Sequence, residues 1–433
     1  MMIDKIKNVL DNFNELDGYK IIEIKTNSEE LFFIKKELDI TRSKEVQHFK
    51  ITVYKHFQEN GEKFTGSSTF DVHPGMNDDE IQKIVESNIF AAQFVKNQYY
   101  TLPQKDNKTI FNIESKFSTK ELSDWMPKLT EALYINDKEE KGGINSAELF
   151  LNKVYKRIIT SEGIDKSFEN YKGMIEFVVN WKEKEEIELY KMLTFSDYEP
   201  EFISDAVKET IFLAKERANA EETVESGKYK VILRDEPVKE ILKYYVDKTR
   251  VDALYNKLSN LKIGDYIQGD KIKGDFINLE LDPNVKNSIY SEPFDNDGIS
   301  LSKINIIEDG KLKKYHGDFR HSHYLNTEVT GNISNFKIKP GTKNISDMKK
   351  EKYVELVAFS DFQLDSVTGN FGGEIRLGWY FDGNDIMAIT GGSLSGNINN
   401  IHSNIFLSKE LQNTDGFIGP KAIEMFDVSI AGK

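Results

Sequence analysis

The only closely spaced histidines of the chain are His321 and His323. On a strand, residues two apart point to the same face, so the pair could hold a metal ion, with Asp318 or Glu328 supplying an oxygen ligand. The competing and favoured interpretation is that both are polar surface residues of the charged segment 318–323. The histidine pair is therefore an alternative metal site, not the leading prediction.

Acidic residues and glycine also cluster in the segment Glu292–Gly298. Asp295 and Asp297 superficially match the start of an EF-hand calcium loop. That loop needs glycine at its sixth position and glutamate at its twelfth, where this chain has Ser300 and Ile306. A turn closed by hydrogen bonds to an aspartate side chain is predicted instead.

Two glycine groups lie near the C-terminus, at positions 369–373 and 391–396. Neither ends in the Gly-Lys-Ser/Thr sequence of a P-loop, and neither shows the strand, glycine run and helix order of a dinucleotide-binding fold. Such glycines permit tight turns or the close approach of another backbone, such as a peptide along a sheet edge. On motif position alone, Asn370, Phe371 and Gly372 are the predicted substrate-binding residues.

Composition argues against several classes of function. The chain of 433 residues carries a net charge of −14, which opposes a phosphate backbone, so direct nucleic-acid binding is not expected. It has no cysteine, and therefore no disulfide, thiolate ligand or thiol nucleophile. No window is long and apolar enough to cross a bilayer, and the first residues have the pattern of an amphipathic helix rather than a signal peptide. No membrane association and a cytoplasmic location are predicted.

The N-terminal half combines helical and strand patterns. Residues 1–17 space their apolar side chains as an amphipathic helix does. Runs rich in β-branched and aromatic residues predict strands at Tyr19–Lys25, Glu30–Ile34 and Phe49–Tyr54. Another helix is predicted after Asn77, which is placed as its N-cap before an acidic first turn.

Residues 1–100 and 117–220 have similar layouts, which suggests an internal duplication. Glu30-Leu31-Phe32 matches Glu148-Leu149-Phe150. At nearly the same separation, Ile89-Phe90-x-Ala92 matches Ile211-Phe212-x-Ala214. We therefore predict two related repeats within one N-terminal domain.

These patterns predict an α+β protein of two domains. An α+β domain spans residues 1–225, and a mainly antiparallel β domain spans residues 228–433, where turn residues are frequent and helical periodicity is rare. In the second domain, a proline opens a helix at Pro237–Val246. Asp309-Gly310 predicts a two-residue hairpin turn, because both of its central positions need positive φ.

Several motifs of the second half resemble, in order, those of the TldD/PmbA family, whose members are labelled modulators of DNA gyrase and understood as metalloproteases with paired subunits. The motifs are Asp295-Asn296-Asp297-Gly298, Glu308-Asp309-Gly310-Lys311-Leu312, Thr330-Gly331-Asn332, Thr368–Gly373, Thr390–Ile398 and Val428–Gly432. Several matches in one order are more specific than any single glycine motif.

The resemblance also shows what this chain lacks. The family's catalytic branch carries a His-Glu-x-x-x-His zinc motif on the helix after the first strand of its C-terminal domain, and a later cysteine completes the ligand set. The corresponding segment here, Asp235–Val246, has no histidine, and the chain has no cysteine. This pattern resembles the PmbA branch, also called TldE, so no catalytic residue and no metal ligand are carried over.

By resemblance, the chain is expected to pair with a TldD-type subunit that holds zinc, or with itself, in a dimer that cleaves unfolded or small peptides. Two alternatives stay open. The chain could be a stand-alone hydrolase with a diverged metal site at His321 and His323, or a non-catalytic protein that binds peptides or a protein partner.

Overall fold

The computed structural model describes residues 2–432. The first part of the chain forms helices that pack on one antiparallel sheet. Its helices are α1 (Met2–Asp11), α2 (Asp78–Ala92), α3 (Leu122–Tyr134) and α4 (Pro200–Ala218). Its strands are β1 (Gly18–Ile34), β2 (Glu37–Glu59), β3 (Glu62–Val72), β4 (Asn97–Gln98), β5 (Gly142–Thr160), β6 (Asp165–Lys182) and β7 (Glu186–Phe195).

The seven strands lie in the order β4-β3-β2-β1-β5-β6-β7, and every neighbouring pair is antiparallel. The two predicted runs at Tyr19–Lys25 and Glu30–Ile34 are one continuous strand, β1. A helix, a three-stranded meander and a second helix occur in this order twice. At the centre, Leu31 pairs with Leu149. This arrangement is the one that a duplication would produce, while the duplication itself stays a prediction.

The first helix of each half packs beside the second over its own strands. In the first half, Ile6 of α1 and Val85 of α2 are buried with Ile51 of β2. The predicted cap of α2 is confirmed: the Asn77 side chain accepts a hydrogen bond from the Glu80 backbone at 3.0 Å, and the Glu80 carboxylate accepts one from the Asn77 backbone at 2.8 Å. Such reciprocal capping fixes where the helix starts.

The second part of the chain is rich in short strands. Its helices are α5 (Glu236–Lys248), α6 (Val251–Tyr255), α7 (Phe319–Tyr324), α8 (Ile345–Met348) and α9 (Ile398–Ile401). Its first strands are β8 (Glu221–Glu222), β9 (Gly227–Arg234), β10 (Leu279–Leu281), β11 (Ile304–Glu308), β12 (Lys311–Leu312), β13 (Phe336–Ile338) and β14 (Tyr353–Leu364). The remaining strands are β15 (Asn370–Phe381), β16 (Ile386–Thr390), β17 (Ser393–Asn397), β18 (Phe406–Leu407), β19 (Leu411–Thr414), β20 (Phe417–Pro420) and β21 (Ala422–Ala431).

These strands form two sheets. A six-stranded sheet has the order β12-β11-β10-β13-β20-β19, and an eight-stranded sheet contains the path β14-β9-β21-β17-β15. Because β15 also pairs with β14, this path closes on itself as a ring. Pairing is mostly antiparallel, and the exceptions are β9 with β14, β13 with β20 and β8 with β16. The α+β class with a β-rich C-terminal region is confirmed.

The predicted hairpin turn at Asp309-Gly310 is confirmed. It joins β11 to β12, and both residues have positive φ, 49° and 71°. Asparagine, aspartate and glycine tolerate this conformation better than other residues, so the local sequence determines the turn.

The acidic turn joins the two parts of the chain. The Asp295 side chain, which is 2% exposed, accepts hydrogen bonds from the backbones of Asp297 at 2.9 Å, Ile299 at 3.0 Å and Asn332 at 3.0 Å. The predicted aspartate turn is thus confirmed, and its carboxylate also binds the Thr-Gly-Asn motif. Lys20 of β1 reaches across to Asp297 at 2.8 Å.

Within residues 2–432, no helix combines the length and the apolar character that crossing a membrane requires.

Burial, and then the nearby charge of Asp297, raises the pKa of Asp295 to about 6 from its ordinary 3.8. A raised folded-state pKa gives a stabilising contribution that is complete below the unfolded pKa and is lost as the pH rises through about 6. We expect wild type to lose up to about 3 kcal/mol of unfolding free energy relative to Asp295→Asn between pH 4 and pH 7.

Urea unfolding of both proteins across this pH range measures the difference. Asp309→Asn, a change of the same charge at the exposed hairpin turn, is the control. The expectation would be contradicted if the difference in unfolding free energy between wild type and Asp295→Asn stayed constant with pH. It would also be contradicted if wild type gained stability relative to the variant as the pH rose.

Candidate functional site

Strand β9 passes into helix α5 through a strained residue. Asp235 has φ 62° and ψ −123°, a conformation that is costly for any residue other than glycine. Its backbone N–H donates to the Lys421 carbonyl at 3.0 Å, and its carbonyl accepts from the Gln412 amide at 3.0 Å. Pro237 lies in the first turn of α5, as predicted. Long-range backbone contacts therefore hold this strand–helix junction in place.

Lys239, on the first turns of α5, is tied to a distant turn. Its ammonium donates to the Asp415 carbonyl at 3.0 Å and to the Asp415 carboxylate. The other carboxylate oxygen of Asp415 accepts from the Thr194 hydroxyl of β7 at 3.3 Å. Burial, followed by the charge of Asp415, raises the pKa of Tyr290 to about 12. Asp415 thus connects the start of α5 with β7 in the first part of the chain.

A second ion-pair group supports the junction. The Glu355 carboxylate is buried and is compensated by Arg234 at 3.1 Å and by Lys349 at 2.6 Å. Arg234 also lies 3.3 Å from the Asp235 carboxylate. Each of these charges is paired, which is what buried charges require for stability.

The donor set at the start of α5 does not fit a zinc ion. Zinc sites use thiolate, imidazole and carboxylate ligands, whereas Lys239 presents a protonated amine that is already bonded to Asp415. Residues 2–432 hold no cluster of three or more histidine, aspartate or glutamate side chains placed to bind a metal. The arrangement can position a helix and a turn.

The prediction that His321 and His323 share one face of a strand is wrong. Both lie on α7, where residues two apart point in clearly different directions. His321 is bonded to Asp318 at 2.8 Å, and the His323 ring stacks on Phe319 at 6.4 Å.

The two predicted oxygen ligands are engaged elsewhere. Asp318 caps α7 by accepting from the His321 backbone at 3.0 Å, and Glu328 pairs with Lys314 at 2.7 Å. The geometry proposed for this alternative metal site is therefore absent from the described residues.

The predicted substrate-binding residues lie at the start of β15. Phe371 is 4% exposed and belongs to the C-terminal core. Gly372 pairs with β14 on one side and with β17 on the other, so this stretch offers no free sheet edge, and the idea of a peptide pairing here is corrected. Asn370 is exposed and accepts a hydrogen bond from the Asn397 amide at 2.8 Å. Its role in substrate binding stays a prediction.

Sequence reasoning missed the bond between Lys239 and Asp415. The dipeptide Asp415-Gly416 has positive φ at both residues, 47° and 75°, and could have been recognised as a second Asp-Gly turn. The long-range contact of that turn with α5 leaves no local sequence signal.

The second part of the chain is similar to a domain found in known proteins. A model of the PmbA/TldA metallopeptidase C-terminal domain matches residues 226–432, which begin just before β9 and end just after β21. The predicted resemblance of this part of the chain to the TldD/PmbA family is confirmed.

Two curated relatives match parts of the chain. An uncharacterised protein of Methanocaldococcus jannaschii is 25% identical over 167 residues, which are 36% of this chain and 40% of that protein. A metalloprotease PmbA homolog of Buchnera aphidicola is 25% identical over 140 residues, which are 31% of each protein. The chain thus spans less than half the length of the curated relatives it matches.

Solved structures match over the full length and show the fold. TldE from Thermococcus kodakarensis superposes with a TM-score of 0.79 at 16% identity, with all of both chains covered. A protein of Thermotoga maritima described as a modulator of DNA gyrase gives 0.78 at 18% identity, covering 99% of this chain and 100% of the other. The chain therefore shares the fold of these two proteins in both of its parts.

The strain at Asp235 leads to a prediction about stability. We expect Asp235→Gly to be more stable than Asp235→Ala by about 1–2 kcal/mol, because both remove the side chain and only glycine adopts this backbone conformation freely. Chemical denaturation of the two variants measures the difference.

At an ordinary helical position the order should reverse. Lys83 is exposed on α2, so Lys83→Ala should be more stable than Lys83→Gly there. The same order at both positions would contradict the assignment of strain to Asp235.

Proposed function

We propose that this chain is a PmbA/TldE-type subunit of a metalloprotease system that acts on unfolded or small peptides, and that it contributes no zinc ligand itself. The match of residues 226–432 to a metallopeptidase C-terminal domain supports the metalloprotease context. The fold agrees with that of TldE from Thermococcus kodakarensis over the full length of both chains.

One observation carries the proposal. The strand–helix junction after the first strand of the matched domain is present, yet the first turns of its helix carry Lys239, bonded to Asp415, and no histidine. By its resemblance to the family, this helix is where the catalytic branch holds zinc. A lysine ammonium bonded to a carboxylate leaves neither a metal ligand nor an open position for a metal-bound water.

The proposal implies a partner. A TldD-type subunit would supply the zinc and the catalytic groups, and this chain would complete the enclosure in which a peptide is cleaved. Pairing of two copies of this chain is the alternative, and it would give an assembly without zinc.

The proposal predicts how zinc and activity are distributed. The chain purified alone after exposure to zinc should contain no bound zinc by elemental analysis and should not cleave an unfolded protein such as reduced, carboxymethylated lactalbumin. Co-purified with a TldD-type subunit of the same organism, it should form a complex that contains about one zinc per pair and cleaves that substrate.

Each result bears on the assignment. Stoichiometric, tightly bound zinc in the chain alone would refute it. Stable peptide binding by a zinc-containing complex without any cleavage would favour a binding protein instead.

A second prediction tests whether the ion pair at α5 has only a structural role. We expect Lys239→Met combined with Asp415→Asn to keep kcat of the complex within about twofold, because neither group takes part in chemistry. Asparagine suits the positive φ at position 415, so the turn should survive.

Thermal unfolding checks that the double variant is folded. A folded variant whose kcat falls by about a hundredfold or more would show that the pair acts in the reaction.

A further inference from the structure

Strand β2 of the first sheet has a long stretch that is paired on one side only. It pairs with β1 from Glu37 to Tyr54, whereas β3 pairs with it only from Phe49 onward. No other strand described within residues 2–432 pairs with residues 37–48. Residues 37–45 are all exposed, so both faces and the outer edge of the strand are open. We call residues 37–48 the β2 arm.

The edge of the β2 arm is poorly protected. An open strand edge carries unpaired backbone N–H and C=O groups, and natural proteins usually block such edges. One blocking feature is present, an extra residue at Asp39 where the register with β1 shifts. Residues 40–48 then continue for about 30 Å without proline, glycine or a second shift. Strand β7, the other long outer strand, differs because Ile187 and Leu189 pack against the buried core beneath α4.

The charges of the arm argue against a second copy of this chain as the added strand. In a two-fold dimer the two arms run antiparallel, and a register centred on residue 42, 43, 44 or 45 places like charges directly opposite. The opposed pairs are Arg42 with itself, Arg42 with Lys44, Lys44 with itself and Glu45 with itself. Such pairs are destabilising. Registers centred further out either run through the shift at Asp39 or meet β3 after a few pairs.

The same charges indicate what an added strand would carry. The Arg42 Nε and Lys44 Nζ atoms both lie 2.6 Å from carboxylate oxygens of the buried Glu30, so two cations share one anion. Glu45 lies on the opposite face, because successive side chains of a strand alternate. Ile40, on the same face as Arg42, is 53% exposed. A strand with a carboxylate near the two cations and an apolar side chain near Ile40 would complement this face.

We propose that the β2 arm pairs edge to edge with a strand of the zinc-bearing partner subunit, and that this strand presents an acidic side chain to Arg42 and Lys44. The inference rests on the proposed function, in which the partner is a chain different from this one. Backbone hydrogen bonds give an added strand its affinity, and the side chains on its two faces give its selectivity. The sheet of this chain thereby continues into the partner.

Hydrogen exchange measured by mass spectrometry tests the backbone pairing. The full chain alone is compared with the same chain co-purified with a TldD-type subunit of the same organism. Exchange of the amides in residues 37–48 should slow at least about tenfold in the complex, because the outward-facing amides gain partners. The free edge of β7, residues 186–195, is the internal control and should keep its exchange rates.

Side-chain variants then test the contacts of the arm. Ile40→Asp should weaken binding to the immobilised partner at least about tenfold, because it places a charge within the contact. Ile386 is 62% exposed on β16, so Ile386→Asp is the matched control and should bind as wild type does. Lys44→Gln should slow association about threefold or more at low salt, because it removes part of the attraction for the acidic strand. Circular dichroism melting of each variant shows whether it is folded.

Four results would overturn the proposal. If the complex forms while residues 37–48 exchange as fast as before, or while folded Ile40→Asp binds as tightly as wild type, the partner docks elsewhere and only the proposed function survives. If the wild-type chain forms no complex with the zinc-bearing subunit, both fail. Protection of the arm that grows with the concentration of the chain alone identifies a second copy as the occupant. Protection by reduced, carboxymethylated lactalbumin without the subunit identifies an extended peptide instead.

Discussion

The pairing of β1 with β5 is the constraint on which the rest of the molecule depends. The two strands run antiparallel from the pair Lys20 and Thr160 to the pair Ile34 and Ser146, and they join two three-stranded meanders into one sheet. A long antiparallel ladder fixes its register strongly, because a slip of one residue would turn every buried side chain to the opposite face. Each half places its own helix pair on that sheet, so the position of both helical layers follows from this one pairing.

The same region of the sheet receives the second part of the chain. Phe294 is fully buried against Ile158 and Ile164, while Lys166 donates to the Gly298 carbonyl at 2.8 Å. Gly298 has φ 78°, and a Cβ there would lie 2.9 Å from the Ile164 side chain, so only glycine fits. The acidic turn that resembles a calcium loop is therefore a joint between the two parts, and its carboxylates bind backbone N–H groups and a lysine.

Local signals predicted the elements whose formation depends on their own residues. The cap at Asn77 and the Asp309-Gly310 turn are of this kind, since each is decided within a few positions. Thr26 to Ser28 interrupt the apolar pattern of β1, yet they form strand because β2 and β5 pair with them on both sides. The metal-site alternative places His321 and His323 on a strand, but Asp318 just before them is a good helix N-cap residue, and it caps α7. Contacts such as that of Lys239 with Asp415 join residues 176 positions apart, and no local pattern predicts them.

The start of α5 explains how a strand–helix junction can persist without metal chemistry. The strained conformation of Asp235 is held by bonds from its backbone to Lys421 and Gln412, so it does not depend on the ligand properties of the side chain. A metal ion and a lysine ammonium both compensate the charge of nearby carboxylates, but only the metal ion also offers open coordination positions to a substrate or a water. Because Lys239 compensates Asp415 from within the chain, the helix, the turn and β7 stay connected without a bound ion. That arrangement agrees with the proposed function, in which the chain would contribute its shape and its surface to a shared enzyme.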